Sequence, residues 1–187
     1  IIIALGESVV AHGVGVVDEL YNLRTIVTVL VGFAALACLW WLYFDVVAIA
    51  AEARLASAPP EERNALARDS YNYVHLVMVA GIVLLALGMK KAFDEIDAPL
   101  KATVSFALFG GAAVYLLGHV LFRLRNLGSW NVQRVVCLGL LLLLVPVGVV
   151  VPAWGSLALL TAVLLTLVTY ETLRFREWRH HLRTEVR

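Results

Sequence analysis

Residues 134–171 read RVVCLGLLLLLVPVGVVVPAWGSLALLTAVLLTLVTYE, and no Asp, Glu, Lys, Arg or His falls between Arg134 and Glu171. An apolar helix needs about 20 residues, at ~1.5 Å rise each, to cross about 30 Å of hydrocarbon. The stretch is long enough for two such helices. Pro152 and Gly155 are breaker residues that place a tight turn between them. The reading is therefore one helix over residues 134–151 and another over 153–175. Pro146 lies inside the first; it lacks an N–H and clashes with the preceding turn, so a kink is expected there, made easier by Gly148.

Working outward, the same pattern recurs over residues 101–123, 70–91, 25–52 and 1–17, giving about six spans. The connectors are polar or rich in breakers: Asp18 to Arg24, Lys90 to Lys101 with Pro99, and Arg123 to Arg134 with Gly128 and Asn131. The longest connector contains Pro59-Pro60-Glu61-Glu62. Proline fits the first turn of a helix and acids favour its positive end, so the third helix is expected to begin outside the membrane near Pro60. Gly81 and Gly88 repeat at seven residues, as do Gly111 and Gly118, a spacing that lets membrane helices approach closely.

Composition agrees with this reading. Of 187 residues, 61% are hydrophobic and 16% charged, with a mean hydropathy of +0.87. A water-facing domain is usually about half apolar and about a quarter charged. The fold class is all-α, a polytopic transmembrane helical bundle forming a single domain over residues 1–187. A net charge of +1 excludes a global basic field for nucleic acid. Cys38 and Cys137 form no CxxC or zinc spacing and read as small buried hydrophobes. No cofactor motif and no complete catalytic signature is visible. The chain opens inside an apolar run without an initiating methionine, which reads as a fragment whose earlier part is missing.

Topology follows from Lys and Arg. If the spans alternate, one side carries four basic residues and the other, with the chain's C-terminus, carries eleven. The positive-inside rule puts the richer side in the cytoplasm. The segment from Arg174 to Arg187 then reads as a basic anchor to anionic lipid, with His180 and His181 in water.

A charge at the bilayer centre costs roughly 2.5–3.5 kcal/mol on insertion scales, so ionisable groups there face protein or water and often mark function. The candidates are Glu7, Asp45, His75, His119 and Glu171. Counting residues places all five, on five different helices, in the cytoplasmic half of the membrane. Tyr71-x-x-x-His75 and Tyr115-x-x-x-His119 each set a phenol and an imidazole one turn apart on one face. Trp41 and Asp45 share a face, and Tyr43 points elsewhere. Glu171 and Arg123 can also be read as side chains that snorkel to the interface.

Ile3-Ala4-Leu5-Gly6-Glu7-Ser8-Val9-Val10 resembles the LGES segment of the bacterial low temperature requirement A (LtrA) family. Trp41-Leu42-Tyr43-Phe44-Asp45 resembles that family's W-x-Y-F-D segment. The resemblance extends over essentially the whole chain, as the C-terminal half of a longer polytopic protein. It implies a multi-spanning protein of the bacterial cytoplasmic membrane, named for growth at low temperature. It brings with it no substrate, cofactor or catalytic residue. The positions matching its segments are Glu7, Ser8, Tyr43 and Asp45.

Three functions are compatible with these residues. The first is transport of a proton, cation or small polar solute, with Glu7 and Asp45 taking up the cation, His75 and His119 relaying protons, and Tyr71 and Tyr115 orienting the rings. The second is a sensor or structural module linked to cold growth, whose polar core sets helix register. The third, weaker because no helix carries paired ligands, is a membrane-embedded metal enzyme. The sequence fixes neither the ligand nor the oligomeric state.

Overall fold

The computed structural model describes residues 1–14, 22–45 and 47–174. Among the described residues seven helices follow one another: α1 (Ile2–Val14), α2 (Leu23–Phe44), α3 (Val47–Ser57), α4 (Pro60–Asp94), α5 (Ala102–Leu127), α6 (Val132–Gly148) and α7 (Ala153–Arg174). Among the described residues, α2, α4, α5 and α7 are each long and apolar enough to cross a membrane, and α6 is a shorter apolar helix. Large apolar side chains cover the outside as well as the inside: Leu143 is 72% exposed and Val150 77%. Such a surface suits hydrocarbon as the solvent and not water.

The helix boundaries have local causes. The Asn22 and Asn131 side chains accept hydrogen bonds from the backbone N–H groups of Arg24 (3.0 Å) and Arg134 (3.3 Å), capping α2 and α6. Pro60 opens α4, with Glu61 and Glu62 in its first turn, as the sequence suggests. The helix then runs unbroken into the third apolar segment. Gly128 ends α5 with φ +63°, a left-handed conformation that glycine adopts without strain, while its N–H bonds to Leu124 O at 3.0 Å. Pro146 sits inside α6, and the neighbouring Val145 carbonyl accepts a hydrogen bond from Ser105 Oγ of α5 at 2.6 Å.

One boundary differs from expectation. The second helix, expected to continue to about residue 52, ends at Phe44; Asp45 lies in a turn and α3 begins at Val47. The Leu42 carbonyl in the last turn of α2 accepts instead from the Arg134 guanidinium, at 3.2 Å. Two π-helical segments, Arg68–Val74 within α4 and Phe106–Gly110 within α5, were not foreseen either.

The core centres on the pair α4 and α5. A Cβ added at Gly81 would lie 2.5 Å from Tyr115 N and 2.8 Å from Gly111 O, and Gly88 and Gly111 abut the backbone at Leu108 and Leu85 respectively. Both glycine repeats therefore serve the same seam. Around it pack Leu39, Met78, Ile82, Leu85, Leu108 and Leu157, all fully buried.

The ends of the bundle show how the helices alternate. At one end Arg24 pairs with Asp97 at 2.5 Å, and the Ala153 and Trp154 N–H groups bond to Ala98 O (2.9 Å) and Ile96 O (3.1 Å). At the other end Arg125 pairs with Asp69 at 3.2 Å and Asn126 donates to Ser70 Oγ at 2.9 Å. The connectors after α4 and α6 thus lie at one end with the start of α2. Those after α2 and α5 lie at the other. The basic segment beyond Arg174, with His180 and His181, and also Asp18 lie outside the described residues.

Candidate functional site

At the end of the bundle where α2 finishes, polar side chains from five helices meet. Tyr43, on the last turn of α2, is buried and points inward, away from the partly exposed Trp41, as the helical spacing predicts. Its hydroxyl lies 2.7 Å from His75 Nε2 of α4. His75 Nδ1 lies 2.8 Å from the Ser70 carbonyl. A carbonyl only accepts, so Nδ1 carries the hydrogen; in the neutral ring Nε2 is then the acceptor and Tyr43 O–H the donor. Ser70 is buried within the π-helical turn that leads into His75, which brings its carbonyl to the ring five residues on. Tyr71 stacks on the same imidazole, with ring centroids 5.4 Å apart and planes 17° apart. Phe122 of α5 closes the pocket edge-on to both rings.

His119 of α5 stands on the other side of Tyr43, with ring centroids 6.1 Å apart. It is 1% exposed. Its Nδ1 lies 3.0 Å from Tyr115 O and by the same logic donates to it. Its Nε2 is therefore a bare lone pair, and it has no hydrogen-bond partner although it is buried. An unmet buried acceptor is rare in folded proteins and calls for a reason. Tyr115 stacks edge-on to His119 at 4.4 Å, but its hydroxyl donates to the Leu39 carbonyl at 2.7 Å. The backbone carbonyl of Tyr115, not its phenol, thus orients the imidazole. The phenol engaging an imidazole by its hydroxyl is Tyr43, from another helix.

Beside this cluster lies an ion pair. Arg134 and Glu171 have side chains only 6% and 15% exposed. They form a two-point pair, Nη2 to Oε2 at 2.7 Å and Nε to Oε1 at 2.9 Å. Asn131 Nδ2 adds a third bond to Oε1 at 3.1 Å. The Arg134 guanidinium also reaches Leu42 O, at the negative end of the α2 dipole. Glu171 is therefore held inside the bundle and does not snorkel. Arg134 was read from the sequence only as a link residue. Its one signal is position: it and Glu171 are the charges bounding the long uncharged stretch.

The remaining candidates stand at other positions of the chain. Asp45 is half-buried in the turn after α2, its N–H bonded to Trp41 O at 3.0 Å. Ser8 is buried, but its hydroxyl donates to Ala4 O at 2.8 Å within α1. Glu7 lies on the exposed face of α1. Arg123 donates to Ser129 Oγ at 3.1 Å near the end of α5. Asn126 and Ser70, buried and joined between α5 and α4, are polar members that sequence reading missed. Among the described residues, no group of three His, Cys, Asp or Glu side chains is placed to hold a metal ion. Cys38 is buried and Cys137 half-buried, both as free thiols.

A family model described as "Bacterial low temperature requirement A protein (LtrA)" matches residues 1–169. The curated proteins and the solved structures yield no match.

Proposed function

The chain belongs to the bacterial low temperature requirement A family, and from that premise we propose that its polar cluster is a proton-handling site in a membrane transporter or channel-like protein. The observation that carries this reading is the position of Tyr43 between two imidazoles. It donates to Nε2 of one, while Nε2 of the other is buried and unpartnered. Imidazole titrates nearest neutral pH of the ordinary side chains, so two of them flanking a phenol supply the groups of a proton relay. When His75 takes a proton at Nε2, that nitrogen becomes a donor and the Tyr43 hydrogen must turn away. His119, whose ring centroid lies 6.1 Å from that of Tyr43, offers a vacant Nε2 acceptor. Arg134 and Glu171 compensate each other's charge next to the relay. Asp45 stands at the break between α2 and α3, a kind of interrupted helix that often borders transport sites.

The reading places the protein in the bacterial cytoplasmic membrane with its C-terminus in the cytoplasm, on the strength of the arginine asymmetry. The transported species is a proton, with a cation or small polar solute as cargo coupled to it. Reconstituted in liposomes with an internal pH dye, the protein is expected to pass protons. Tyr43→Phe, His75→Gln and His119→Gln each abolish the flux. Absence of flux for any ion, with Asp45→Asn behaving like the parent, rules the proposal out.

The ion pair favours a second reading. A buried pair across α6 and α7, tied to the end of α2, also serves to specify register. In that case the protein is a sensor or structural module of cold growth. Substitutions in the cluster would then destroy folding before they touched any flux.

A further inference from the structure

Glu7 occupies a position that the bundle does not explain. α1 packs along α4 and α2, with Leu5 6% exposed and Ser8 2% exposed on its inner face. The opposite face carries Ile3 at 82% exposed and Val10 at 61%, with Gly6 and Glu7 also exposed. These positions follow the i, i+3, i+4, i+7 spacing of a single helical stripe. Glu7 has no hydrogen bond or ion pair among the described residues. A carboxylate in the middle of an otherwise apolar stripe is not a lipid-facing residue. Nor is the stripe a water-lined wall, because its other large members, Ile3 and Val10, are both apolar. No atom lies within 4 Å of where a Cβ would stand at Gly6, so a partner backbone can come close there.

We propose that this face of α1 is a docking surface for a further membrane helix, one that offers a cationic or amide donor to Glu7. Charge complementarity selects this occupant. A second copy meeting the first through the same face would set one Glu7 carboxylate against the other. The inference is independent of proton transport. The test uses nitroxide labels at Ile3→Cys and Val10→Cys in the protein reconstituted in bilayers, with Cys38 and Cys137 replaced by Ala. A label at Leu143→Cys on α6 is the lipid-facing reference. Collision with oxygen reports lipid and collision with a nickel chelate reports water.

The expected result is several-fold lower oxygen collision at Ile3 and Val10 than at Leu143, with the nickel chelate also excluded. Glu7→Gln preserves the shielding because an amide still accepts from the donor. Glu7→Lys sets cation against cation and raises the oxygen collision toward that of Leu143. An unchanged Leu143 signal shows that the bundle itself is intact. Oxygen collision equal to that at Leu143 in the unsubstituted background, or free access of the nickel chelate, overturns the proposal. Retained shielding in Glu7→Lys overturns the donor chemistry. A disulfide between two copies through Val10→Cys assigns the face to a second copy instead.

Discussion

Arg134 reaches a carboxylate on α7 and a carbonyl at the end of α2 at once, while its own N–H is held by the Asn131 cap. Removing one partner of such a pair strands the other charge in a low dielectric. Glu171→Ala or Arg134→Ala is expected to lose about 3–5 kcal/mol of stability. The double substitution Arg134→Met with Glu171→Leu recovers most of that loss. Unfolding followed in detergent checks both, and two single losses that simply add would contradict the pairing. His119 provides the opposite case. Its Nε2 is already unpartnered, so His119→Phe should shift stability by no more than about 1 kcal/mol, while proton flux in liposomes disappears. A variant that is folded and still conducts would remove His119 from the site. At this scale the sequence was half legible. The Tyr71–His75 and Tyr115–His119 spacings are local and could be read directly. The bond from Tyr43 to His75 joins residues far apart in the chain, and only packing reveals it. Glu7 carried the same sequence signal as the histidines but lies on the exposed face of α1.

Helix positions were legible because hydrophobic length and the proline and glycine breaks are local properties. The end of α2 was not, since the group taking up the Leu42 carbonyl comes from α6. The π-helical turns at Arg68–Val74 and Phe106–Gly110 were equally hidden, as neither has a sequence signature of its own. The seam between α4 and α5 was foreseen as close packing, though not as the meeting of one glycine pair with the other. It makes a sharp prediction. Gly88→Val pushes side-chain atoms into the Leu108 backbone and should cost at least about 1–3 kcal/mol as an overpacked contact. A Cβ added at Gly139 on α6 would meet nothing within 4 Å, so Gly139→Val should stay within about 0.5 kcal/mol of the parent. Equal melting temperatures for the two variants would show that the seam is not tight.

Across the whole molecule, the two sets of end contacts make the direction of each helix explicit. Arg24 with Asp97 marks one end, and Asp69 with Arg125 marks the other. Which end faces the cytoplasm rests on the arginine count alone. A reporter fused after Arg187 should be active only as a cytoplasmic enzyme, and periplasmic activity would invert the orientation. The overall fold was the most legible level, because the choice of lipid as solvent is set by composition. The polar cluster was the least legible, because it draws on five helices. The pairing of Arg134 with Glu171 also bears on how the protein is made. No charge separates these residues, so α6 and α7 can enter the bilayer during synthesis as one hairpin, with both charges waiting on the same side. They meet only when the two helices have reached equal depth. A hairpin stalled one turn short leaves a bare arginine and a bare glutamate, each an uncompensated charge out of water.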